Sequence, residues 1–191
     1  MSSAIEKNEA LFFSPEQAVL SNRYHSMMAI HIRRGDYRAA CQGFSEWGSN
    51  FYGWNLLPEL PDWFVPPPGS GSGYTKSKKE ALYFKRCFPT EDQIVAKVME
   101  SKLDWETGGD GRSELQLLYI MTNAENGWIE ALKARLRAEG WPTVISGTDL
   151  LLDDEQTGVG MAVDMDIGRR AGLFIGNGVS DLNQCLAPTV F

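Results

Sequence analysis

The sequence predicts an α/β fold, a Rossmann-like and mostly parallel sheet with helices on its faces. Three observations predict it. Short, almost uninterrupted apolar runs at Met27–Ile32, Leu115–Met121, Thr143–Ser146 and Leu173–Ile175 read as strands buried on both faces, the signature of parallel sheets. Amphipathic segments of helical period lie between them. Strand and helix therefore alternate, the order that builds right-handed βαβ units.

Residues 1–25 are weakly patterned, with one short helix expected around Pro15–Asn22. They read as the remnant of a preceding region, and residues 26–191 as the domain proper. The first strand carries His31 and delivers Arg33, Arg34 and the Gly35 turn. Residues 41–76 then break the pattern. Trp47, Phe51, Tyr52, Trp54, Trp63 and Phe64 are interleaved there with Pro, Gly, Ser and Asn, and Pro66–Gly73 is a loop by composition. This stretch reads as a loop insertion whose aromatic residues pin it to the surface or stack on an acceptor. Lys76-Ser77-Lys78-Lys79 reads as a solvated helix start.

Thr90-Glu91-Asp92-Gln93 has the form of a capping box. Ile94, Val95, Val98, Met99 and Leu103 mark one face of the helix that follows. After the second strand, Asn126–Glu139 is amphipathic, with Ile129, Leu132 and Leu136 inward and Glu130, Lys133 and Arg137 outward. Gly140 and Trp141-Pro142 stop it. The third strand leads through an acidic loop to a helix at about Met161–Gly172, and the fourth strand follows.

At 191 residues the chain is long enough for one core, and 43% apolar content places it in the globular class. A net charge of −7 with no offsetting basic stripe argues against a nucleic-acid surface. No apolar stretch approaches the roughly 20 residues of a membrane span, and Met1–Lys7 lacks the apolar core of a signal peptide. Cys41, Cys87 and Cys185 are too few and scattered for a disulfide framework or a metal site. A Cys41–Cys87 bridge and free thiols both fit the sequence.

His31–Arg34, Thr122–Glu125 and Gly176–Ser180 all fall at carboxyl ends of strands, where open α/β sheets bind ligands. Guanidinium groups there suit phosphate oxygens. Asp164-Met165-Asp166 imitates the Asp-X-Asp metal motif, but it lies in a helical pattern, so no metal is expected and Asp166 reads as a surface carboxylate. Arg34-Gly35-Asp36 follows a buried strand too closely to project as a recognition finger.

His31-Ile32-Arg33-Arg34-Gly35-Asp36 resembles the first motif of the GDP-fucose-dependent fucosyltransferases, in particular the protein O-fucosyltransferase family. Ala162–Ser180, with Asp164 in a helix, a strand, and then Gly176-Asn177-Gly178-Val179-Ser180, resembles that family's last motif. The resemblance covers about Phe13–Leu182, most closely at its two ends. It implies the nucleotide-sugar-binding half of a GT-B glycosyltransferase, with most of the acceptor domain lacking.

The activity implied is inverting, metal-independent transfer of fucose from GDP-fucose to a hydroxyl of a protein or glycan acceptor. GDP-fucose is the donor substrate and no cofactor is needed. A secretory location, in the ER or Golgi, is also implied. By the same resemblance Arg33 is catalytic and grips the β-phosphate. His31 helps hold the guanine, against a competing reading as a satisfied core histidine. Asp164 accepts from guanine N1–H and the exocyclic amine. Gly176, Asn177 and Ser180 form a turn at the diphosphate. Arg34 counts among the nucleotide-holding residues while packing or orienting its turn.

The chain departs from the family pattern in having Asp181 for a second serine and Asn123 for aspartate. The alternative is a truncated, catalytically inactive domain of the same fold that binds a nucleotide or a partner.

Overall fold

The structure, a computed structural model, describes residues 3–18, 23–51, 64–67, 76–108 and 114–176. The four apolar runs become strands β1 (Met27–Ile32), β2 (Leu117–Thr122), β3 (Thr143–Ser146) and β4 (Leu173–Gly176). All neighbours are parallel, in the order β3-β2-β1-β4. Every residue of β1 is buried because it lies in the middle of the sheet with helices above and below.

The helices are α1 (Ala4–Lys7), α2 (Glu9–Phe12), α3 (Pro15–Ala18), α4 (Tyr37–Trp47), α5 (Lys76–Cys87), α6 (Glu91–Thr107), α7 (Asn126–Ala138), α8 (Asp154–Gly158) and α9 (Gly160–Arg170). Strand alternation sorts the core into two layers. Met28, Ile30, Ile32, Leu118, Ile120, Val144 and Ile175 meet Ile94, Val95 and Val98 of α6 and Leu132 and Leu136 of α7. On the opposite face Met27, Ala29, Leu117, Tyr119, Met121, Ile145 and Phe174 meet Ile5, Phe12 and Phe13 and, from α9, Val163 and Ile167. The first residues of the chain thus share a core with the sheet.

The chain winds outward from β1 through β2 to β3, then returns to the other side of β1 for β4. That reversal is the switch point of a doubly wound sheet, and it lies between β1 and β4.

The capping box opens α6 as expected: Thr90 Oγ1 accepts from the Gln93 N–H at 3.3 Å, and Gln93 Oε1 accepts from the Thr90 N–H at 2.9 Å. Two expectations need correction. The patternless stretch from residue 41 begins inside α4, which ends only at Gly48, left-handed at φ 67°. Lys133 does not face water. It is 1% exposed and pairs with Glu130 at 2.7 Å and Asp149 at 2.6 Å. The helix expected around Pro15–Asn22 is present over Pro15–Ala18, and residues 19–22 lie outside the described residues.

A third cluster joins α4 to α5 through the Cys41–Cys87 disulfide, Phe51, Phe64 and Tyr83. Phe51 and Phe64 lie 5.5 and 5.0 Å from the Tyr83 ring, so both are pinned, while Trp47 stays exposed. Tyr52, Trp54 and Trp63 lie outside the described residues.

Candidate functional site

The exit of β1 is held by the exit of β2. Thr122 Oγ1 donates to the Ile32 carbonyl at 2.7 Å and accepts from the Ala124 N–H at 3.1 Å. Asn123 Oδ1 accepts from the Arg34 N–H at 2.7 Å. Gly35 is left-handed at φ 46°, and a Cβ there would meet Asn123 Nδ2 at 2.7 Å, so only glycine fits the turn beneath that side chain. Asn123 therefore performs an anchoring role with its carbonyl oxygen alone.

The turn sends its two arginines different ways. Arg34 goes to the α6–α7 side, where its Nη2 donates to the Pro89 carbonyl at 2.6 Å. The guanidinium lies 4.3 Å from the Phe88 ring and 4.5 Å from the Trp128 ring. Burial lowers its pKa, with partial compensation from Glu91. Its charge is engaged within the protein. Arg33 stays at the rim, 43% exposed at the side chain, 3.6 Å from Asp36 and over the Tyr37 ring at 5.4 Å.

His31 lies on the face of Met27 and Ala29, in register with Met121 and Gly176. It is 6% exposed, and its Nδ1 has no hydrogen-bond partner among the described residues. Burial first, then the Arg33 charge, lowers its pKa to about 4. At neutral pH it is an uncharged imidazole with an unsatisfied buried nitrogen, a condition native proteins seldom leave without a purpose. Gly176, beside it, ends β4. Asn177, Gly178, Ser180 and Asp181 lie outside the described residues.

Asp164 projects from α9 toward the same face of the sheet. Its Oδ1 accepts from the Tyr119 hydroxyl at 2.5 Å. Burial raises the Asp164 pKa to about 6, and the phenol hydrogen bond opposes that rise. Tyr119 is raised well above the ordinary tyrosine value, by burial first and then by the Asp164 carboxylate. Gly147, just past β3, backs the pair; a Cβ there would lie 3.4 Å from Asp164 Oδ1 and 3.7 Å from Tyr119 Oη.

Lys133 reaches that exit from α7. Asp149 Oδ2 receives its ammonium at 2.6 Å, together with the Ser146 N–H at 2.8 Å and hydroxyl at 3.2 Å. Burial would raise the Asp149 pKa, but the Lys133 and Ser146 hydrogen bonds outweigh it and the net shift is downward. The loop that carries Gly147 is thereby fixed.

Asp164 and Asp166 do not act together. Residues two apart on a helix point in different directions, and Asp166 is held by Arg169 at 2.6 Å and Arg170 at 3.2 Å. Among the described residues no three of His, Cys, Asp and Glu cluster as a metal site, and no helix is long and apolar enough to cross a membrane.

The sheet order defines a Rossmann-like α/β fold whose switch point lies at the carboxyl ends of β1 and β4, where open α/β sheets bind their ligands. That fold is shared with solved structures of the protein O-fucosyltransferase POFUT1. A complex of POFUT1 with GDP superposes with TM-score 0.55 at 17% identity, over 95% of this chain and 41% of that one. The apo form gives 0.54 at 15% identity, over 95% and 40%. A further crystal form of the GDP complex gives 0.54 at 17%, over 95% and 40%. The fold therefore matches the one the two motifs imply, and the chain spans about two-fifths of the length of those structures. No family model and no curated relative matches the chain.

Sequence reasoning missed Tyr119, Lys133, Asp149 and Gly147. Only Tyr119 carried a signal, since the hydroxyl of a tyrosine in a central strand needs a buried partner.

Proposed function

We propose that the chain binds GDP-fucose and belongs to an O-fucosyltransferase-like protein that transfers fucose to an acceptor hydroxyl with inversion and without a metal. The observation that carries the reading is the rim of the β1 exit. Arg33 stands there partly exposed at the switch point, and His31 and Asp164 lie on one face of the sheet beneath it. In this reading Asp164 receives guanine N1–H and the exocyclic amine, and His31 lends its neutral Nδ1 to the same nucleotide. Gly176 belongs with Asn177 and Ser180 to the diphosphate-holding set of this reading, the latter two lying outside the described residues.

The transfer balances simply. The acceptor oxygen bonds to the fucose anomeric carbon from the face opposite the phosphate as the carbon–phosphate oxygen bond breaks. The acceptor's hydroxyl proton is released to solvent water, and the electron pair of the broken bond leaves on GDP. Arg33 stabilises that developing charge. The Arg34 guanidinium supports the turn rather than the ligand. A secretory setting belongs to the proposal and is supported by the Cys41–Cys87 disulfide, a bond that persists in oxidising compartments. The acceptor is a protein or a glycan.

A second reading is a nucleotide-binding domain that transfers nothing. Asp181 favours it, because a carboxylate stands where the resemblance has a serine. Calorimetric titration with GDP, with ADP as control and EDTA present, tests the shared part. Saturable GDP-selective binding is expected, and Arg33→Ala is expected to weaken it at least tenfold, the worth of one charge-assisted contact. Unchanged affinity in Arg33→Ala removes the phosphate role. Release of GDP from GDP-fucose with an acceptor separates the transferase from the silent domain.

A further inference from the structure

We infer that Tyr119 is a positioning residue for base recognition: its buried hydroxyl occupies Asp164 Oδ1 and fixes the carboxylate plane, leaving Oδ2 to receive the N–H donors of a guanine base. The inference deepens the GDP reading and rests on it.

Tyr119 is fully buried in the strand next to β1, with its ring edge-on to Phe12 at 6.4 Å. Its hydroxyl has no route to bulk water, and Asp164 receives it at 2.5 Å. Gly147 closes behind the pair, so the carboxylate is bracketed by a phenol and a backbone turn. An acceptor-only carboxylate has about four lone-pair sites, and this arrangement commits one of them inward. The same hydrogen bond favours the ionised acid, the form that accepts two parallel N–H donors.

Several charged groups on the elements packed around α9 are already paired or neutral. Asp149 is held by Lys133, Lys7 of α1 by Asp153, and Arg23 by Glu9. Asp166 on α9 itself is held by Arg169 and Arg170, and His31 is neutral above pH about 4. Asp164 is the buried carboxylate on this face whose pKa burial raises, to about 6.

The test is calorimetric titration of the full chain and of Tyr119→Phe with GDP and ADP from pH 5.5 to 8.5. The substitution keeps the ring and its packing. GDP affinity in Tyr119→Phe is expected to fall about tenfold at pH 7.5, the worth of a hydrogen bond to a charged group. The pH below which binding is lost is expected to move upward, since the ionised acid has lost its donor. A merely structural role would leave that midpoint in place. GDP-selective binding with the same affinity and midpoint in both proteins overturns the role of Tyr119 and leaves the nucleotide reading standing. Absence of GDP binding by the folded wild-type chain overturns both.

A second measurement needs no variant. The hydrogen-bonded Tyr119 hydroxyl proton is expected as a slowly exchanging downfield resonance that persists when GDP binds. Its loss on GDP addition overturns the inference.

Discussion

Replacing Asp164 by asparagine is expected to make the chain more stable while it loses GDP. Asparagine has the shape of the protonated acid and its oxygen still accepts from Tyr119. What it removes is the cost of holding an ionised carboxylate against the sheet. Burial raises the Asp164 pKa from 3.8 to about 6. The interval is worth about 3 kcal/mol at 1.36 kcal/mol per decade.

The sign follows from proton binding. Between the two values the folded chain holds more protons than the unfolded one, so stability falls as pH rises through that range. Below pH 3.8 the cost is absent, and above pH 6 it is complete. Asp164→Asn should therefore exceed wild type by up to about 3 kcal/mol at pH 7.5, by about half of that at pH 5, and by almost nothing at pH 3.5. Urea unfolding at these three pH values reads the difference. An advantage that is absent at pH 7.5, or that does not fade in acid, refutes the reasoning.

Two further substitutions test the supports of the site. Lys133→Ala strips Asp149 of its buried cation and is expected to cost about 2 to 3 kcal/mol, at the low end for a broken buried pair because Asp149 is partly exposed. The depressed Asp149 pKa stabilises the fold above its unfolded value and ceases to do so in acid, so the penalty in urea unfolding should shrink below pH 4; a pH-independent loss would contradict the pairing. Gly172→Ala would place a Cβ 2.9 Å from the His25 carbonyl carbon and Cα, which are backbone atoms that cannot swing aside. A loss of about 3 kcal/mol in the same assay is expected, and wild-type stability would show that the close approach is not real.

Much of the frame was legible because it is local. The four strands announced themselves as continuous apolar runs, and α6 by a capping box with an apolar face. The separation of the two arginines was half legible. Successive residues continuing from β1 point apart, but the Phe88–Trp128 slot that receives Arg34 is assembled from the residue after α5 and from α7, distant in sequence.

The missed supports of the site are long-range. Lys133 follows Leu132 on a helix whose charges look solvated, and its burial depends on Asp149, sixteen residues on, beyond the end of β3. Tyr119 and Asp164 are forty-five residues apart, with nothing in either neighbourhood to mark the other. The start of α4 was obscured by the glycine- and aromatic-rich segment into which it runs.

The switch point has a consequence for how the crevice comes into being. Ala29 pairs with Phe174 across the widest span in the sheet, roughly 145 residues, and β4 is the last of the four strands in chain order. During synthesis β1, β2 and β3 can associate while one edge of β1 still waits for its neighbour. Gly176 reaches His31 only when β4, the last strand to be synthesised, docks. The β1–β4 switch point is therefore the last part of the sheet to be built. A ligand that spans the two strand exits would act on that final docking step, holding closed the register that folding finds latest.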